Sequence, residues 1–93
     1  ALVLVEDAAI WTTQGVALRA LGHVAQAEAA YRRALSLEPE SIDTWFNLGN
    51  LYRDLQQPDK ALKAFDNVAK IGGESPLAAR AKQEIKAINI TTQ

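Results

Sequence analysis

The chain has 93 residues, a nearly balanced charge (Lys+Arg 10, Asp+Glu 11, one His) and no cysteine. That length holds one modest core; the charge balance offers no basic field for nucleic acid or anionic lipid; and without Cys there is neither a disulfide nor a thiolate metal site. No apolar run reaches the length of a bilayer span, and Ala1 to Val5 is too short for a signal-peptide core, so direct membrane insertion is not expected.

Residues 1–7 stand apart. Ala1-Leu2-Val3-Leu4 is similar to Ala34-Leu35-Ser36-Leu37 and reads as the tail of a preceding helix. The lack of any Met fits a processed chain or a piece of a longer one. A first helix is expected over 8–21, with Trp11, Gly15, Leu18 and Leu21 inward at helical spacing. Gly22 supplies its left-handed cap. A second helix, 24–37, turns Ala27, Tyr31, Ala34 and Leu37 inward and is stopped by Pro39. A third, 42–55, carries Trp45, Leu48, Gly49 and Tyr52 at i, i+3, i+4 and i+7. After the turn Gln56-Gln57-Pro58-Asp59, Pro takes the first helical position and an acid the first turn. The fourth helix, 59–71, turns Ala61, Phe65, Val68 and Ile71 inward, and Gly72-Gly73 ends it. Ser75 as N-cap and Pro76 at the next position open a fifth helix, 76–89, with an apolar face of Leu77, Ala81, Ile85 and Ile88. Residues 90–93 should fray. No strand is expected.

The third helix repeats the first. Aligning 8–41 with 42–75 without a gap matches Trp11/Trp45, Gly15/Gly49, Arg19/Arg53, Leu21/Leu55, Ala27/Ala61, Ala30/Ala64, Glu40/Glu74 and Ser41/Ser75. Eight identities in 34 positions stand against roughly two by chance. Two antiparallel helices of this kind cannot bury their inner faces alone; a stacked neighbour completes the core. Gly15 and Gly49 let the second helix of each pair come close, while Trp, Tyr and Phe fill the space around them.

This pattern resembles the tetratricopeptide repeat, a 34-residue helix–turn–helix unit, over residues 8–75, with 76–90 similar to the capping helix that follows such arrays. The departures are Gln14 where the family usually has Leu, Leu18 where it has Tyr, and Gly72-Gly73 in place of the usual Pro. The resemblance implies an all-α fold: a right-handed helical solenoid of antiparallel helix pairs, five helices in one domain. It divides the chain into 1–7, repeat one at 8–41, repeat two at 42–75 and the capping helix at 76–90.

The resemblance also implies a concave groove lined by the first helix of each repeat. By position, the groove residues are Thr12, Thr13, Val16 and Arg19 from repeat one, Asp43, Phe46, Asn47, Asn50 and Arg53 from repeat two, and Arg80 from the last helix. Asn pairs with both donors and acceptors of a peptide backbone, and Arg grips a carboxylate with two parallel bonds. Against that stands a plain reading: Arg19, Arg53 and Arg80 solvated, or paired with Asp43, Asp54 or Glu84. One subtype of the family grips a chaperone's C-terminal carboxylate through a Lys/Asn/Asn/Lys/Arg clamp. Asn47 or Asn50 matches one member, but Phe46 and Ala81 stand where Lys and Asn are needed, so the set is absent.

No nucleophile–base pair, metal-ligand spacing or phosphate loop is present, and His23 stands alone in a turn. An enzyme is not expected, nor a cofactor, a metal or a nucleic-acid partner. The expectation is a module that binds a peptide or protein segment, as scaffold, adaptor or assembly factor. The alternative is a structural segment of a longer solenoid that self-associates through residues 1–10, where Leu2, Val3, Leu4 and Ile10 are apolar.

Overall fold

The computed structural model describes residues 7–91. They form five helices: α1 Ala8–Ala20, α2 Val24–Leu37, α3 Ile42–Asp54, α4 Pro58–Gly72 and α5 Pro76–Thr91. No strand occurs among the described residues. The reading of Ala1–Leu4 as a helix tail lies outside them, as do residues 92 and 93. Every helix end falls within two residues of its expected place. The starts of α1, α3 and α5 are 34 residues apart, as are those of α2 and α4.

Each odd-numbered helix opens on a side-chain cap placed one period after the last. Asp7 Oδ1 accepts from the Ala9 amide at 2.8 Å, Ser41 Oγ from Thr44 at 3.4 Å and Ser75 Oγ from Ala78 at 3.2 Å. Each satisfies a backbone donor that the first turn leaves open.

The chain forms two compact units, Ala1–Pro39 and Glu40–Gln93. In the first, α1 and α2 form a hairpin around Gly15 and Tyr31, which lie equally far along the chain from His23. A Cβ on Gly15 would stand 2.5 Å from Tyr31 Cε1, so glycine is what permits this approach. Ala27, Ala30, Tyr31 and Ala34 are buried. The Tyr31 hydroxyl has no hydrogen-bond partner among the described residues. Burial pushes its phenol above the ordinary tyrosine range, and nearby Arg19 pulls the other way. Gly22, at φ 84°, turns the chain out of α1.

The second unit repeats that contact. A Cβ on Gly49 would stand 2.7 Å from Phe65 Cε1, and α3 and α4 meet there as a hairpin. Its turn places Gln56 at φ 57°, where the first unit has Gly22. Ala61, Ala64, Phe65 and Val68 of α4 are buried, and α5 packs on α4 through buried Ala78, Ala81 and Ile88.

Three residues expected inward are not. Leu21, Leu37 and Ile71 are 72%, 38% and 41% exposed. Leu21 follows the end of α1, Leu37 is the last residue of α2, and Ile71 lies next to the end of α4. Each has the right phase but stands at or beside a helix end. Trp11 and Trp45 are half-buried, as is common for so large a side chain. On α5 the buried face includes Ala78, while Leu77 and Ile85 are half-buried. Thr44 is fully buried, its hydroxyl 2.9 Å from Ser41 Oγ at the α3 cap.

Candidate functional site

In the unit Glu40–Gln93, α3 and α5 run side by side in the same direction. Phe46 meets Arg80 near their N-terminal ends, and Arg53 meets Glu84 further along. The ring of Phe46 is buried, 5.4 Å from that of Phe65 and at 64° to it, an edge-on packing. Its outer face carries Arg80, whose guanidinium carbon lies 5.3 Å from the ring centre. Phe46 thus contributes little surface of its own; it is the floor on which Arg80 rests. One side of the site ends in an ion pair, in which Arg53 Nη1 donates to Glu84 Oε2. Of the three remaining members of the α3 row, Asn47 and Asn50 are half-buried, and their carboxamides have no hydrogen-bond partner among the described residues. Asp43 lies exposed one turn before Phe46.

In the first unit, α1 carries Thr12 and Arg19 half-buried, and Thr13 and Val16 exposed. The Thr12 hydroxyl donates to Ala8 O at 2.9 Å and that of Thr13 to Ala9 O at 2.8 Å. Both protons are committed to the helix backbone, which leaves the hydroxyls as acceptors toward any ligand. Arg19 lies close enough to Tyr31 to act on its ionisation.

Two features of the second unit were not foreseen. One is the stacking of Arg80 on Phe46, whose signal was their 34-residue separation. The other is an open depression of about 280 Å³ between α4 and α5, lined by Leu62, Lys63, Asp66, Ile85 and Asn89. Of its lining, the sequence pattern had singled out Ile85 alone, as part of the apolar face of the fifth helix. Among the described residues no group of three His, Cys, Asp or Glu could hold a metal ion, and no helix is long and apolar enough to cross a membrane.

The tetratricopeptide repeat family model matches residues 12–82. The chain belongs to the tetratricopeptide repeat family. Among its relatives, tetratricopeptide repeat protein 37 of Xenopus laevis is 43% identical over 49 residues, 53% of this chain and 3% of that protein. General transcription factor 3C polypeptide 3 of Homo sapiens is 31% identical over 81 residues, 87% of this chain and 9% of that protein. The chain therefore spans less than a tenth of either relative. Among solved structures, PcrH in complex with the chaperone binding region of PopD superposes with a TM-score of 0.86 at 22% identity, covering 94% of this chain and 68% of that one. PcrH from Pseudomonas aeruginosa gives 0.82 at 23%, covering 90% and 67%. At such identities the likeness shows the fold, the all-α helical solenoid class of tetratricopeptide repeats. Family and fold are those of a protein–protein interaction module, and they point away from catalysis.

Proposed function

We propose that the chain binds an extended segment of another protein on the α3/α5 face of the unit Glu40–Gln93, as scaffold, adaptor or assembly factor. The observation that carries this reading is the pair Asn47 and Asn50. Two half-buried carboxamides one turn apart have no partner within the described residues. Both remain within reach of solvent and of an arriving ligand, and a carboxamide offers both donor and acceptor to a peptide backbone. Thr12, Thr13, Val16 and Arg19 hold the corresponding register on α1, and we assign them the same role in the first repeat. The complex of PcrH with a segment of PopD is a precedent for a like fold engaging a piece of another protein.

The test is panning a phage-displayed library of random dodecapeptides on the whole chain. Synthetic binders should lose about tenfold in affinity to an Asn47→Ala/Asn50→Ala variant, as expected for two or so hydrogen bonds, at nearly unchanged melting temperature. Failure to recover any binder, or equal affinity for the variant, would refute the assignment. A second reading, association of copies through residues 1–10, is favoured by Ile10, which is 55% exposed. Light scattering across a concentration series separates the two: the mass of a monomer at every concentration leaves only the peptide reading.

A further inference from the structure

The α3/α5 face holds two arginines, and they are not equivalent. Arg53 is already neutralised by Glu84, so a carboxylate arriving there must displace an existing partner. Arg80 has no such partner. Among the described residues no acid forms an ion pair with it, Asp43 one turn before Phe46 included, and its recorded contact is the ring of Phe46. That contact sets the guanidinium carbon 5.3 Å from the centre of a buried ring, and Arg80 itself is exposed. The planar guanidinium is a pre-organised fork, so less freedom is lost for each hydrogen bond when it grips a second planar group. The neighbouring Asn47 carboxamide is likewise unpartnered, and α5 directly after Arg80 presents Ala81, which is buried and adds no charge.

We infer that Arg80 is the anion-reading residue of the proposed binding face, and that it takes an Asp or Glu side chain from within the bound segment. The inference rests on the reading of α3/α5 as the binding face and adds the chemistry of the ligand. An internal acidic side chain is favoured over a C-terminal carboxylate because a chain end needs several converging donors. Here one fork is open and the second arginine is tied to Glu84. Asn47 and Asn50, which follow Phe46 along α3, then hold the backbone beyond that acidic residue.

The experiment pans the same dodecapeptide library on the wild-type chain, on Arg80→Gln and on Arg53→Gln. Circular dichroism confirms that each variant is helical, and Arg80→Lys is kept as a second variant that retains the charge without the fork. Wild-type binders should carry Asp or Glu at one fixed position. That preference should vanish on Arg80→Gln and persist on Arg53→Gln. Replacing that Glu by Gln in a synthetic binder should weaken it about tenfold on the wild type and less than twofold on Arg80→Gln. Amidating the peptide's C-terminus should change nothing. Binders that require Asn47 and Asn50 yet show no acidic preference would overturn this inference and leave the binding face standing. So would a preference that survives Arg80→Gln or depends on a free C-terminus. Recovery of no binder at all would overturn both.

Discussion

Gly49→Ala should destabilise the chain, although alanine is the better helix former. In an unhindered helix interior this substitution gains about 1 kcal/mol. Here the new methyl carbon would lie 2.7, 2.8 and 2.9 Å from Cε1, Cδ1 and Cζ of Phe65. Carbon atoms rest about 3.5–4.0 Å apart, so roughly 1 Å of relief is needed. The ring has nowhere to go, being fully buried and packed edge-on against Phe46. Forcing an off-rotamer ring or parting α3 from α4 costs about 1–3 kcal/mol. After the helix gain, a net loss of about 1 kcal/mol remains, which lowers the melting temperature by about 4–8 °C in a domain of this size. Urea and thermal unfolding followed by circular dichroism measure it. The companion variant Phe65→Leu removes the obstructing ring atoms, so the two substitutions together should cost less than the sum of their separate effects. A Gly49→Ala chain that melts above the wild type, or a penalty that Phe65→Leu leaves untouched, would refute the steric argument.

Tyr31→Phe removes a buried hydroxyl without a partner among the described residues and should leave stability at neutral pH unchanged or raise it by about 1 kcal/mol, read from urea midpoints. Burial raises the Tyr31 phenol above its ordinary value of 10.0, with Arg19 opposing, so the folded state binds the proton more tightly than the unfolded one. Its contribution is complete below about pH 10 and is lost as pH rises toward the folded pKa. Unfolding at pH 9 and pH 11 should therefore show a steeper decline in the wild type than in Tyr31→Phe. Gln56→Gly relieves a left-handed residue at φ 57° and should raise the melting temperature by a few degrees, about 0.5–1 kcal/mol, whereas Gln56→Val should lower it.

Most of the architecture was legible in the residues because its determinants are local and occur twice. Gly22, Ser75-Pro76 and the Pro58 turn mark helix ends without reference to any neighbour. The pairs Gly15/Tyr31 and Gly49/Phe65 mark where two helices cross. Phase alone does not say how well a residue at a helix end is covered: Leu21, Leu37 and Ile71 have the inward phase, stand at or beside helix ends, and lie outside. It also could not rank the arginines. Glu84 was a candidate partner for all of them, and only the register of α5 against α3 gives it to Arg53 and leaves Arg80 on Phe46. Phe46 shows a related limit, since the same phase that marks it for a groove also fits a residue sealed beneath a neighbour's guanidinium.

Repetition has distributed the indoles evenly: Trp11 lies in one compact unit and Trp45 in the other, both half-buried. Emission from the native chain is therefore a sum of two reporters. Trp11→Phe leaves a single fluorophore carried by Glu40–Gln93, and Trp45→Phe one carried by Ala1–Pro39. If both variants fade at one denaturant concentration, a single free energy of unfolding describes the chain. If they fade apart, the total splits into a contribution from each duplicated half, and every substitution above is to be scored on the half that contains it.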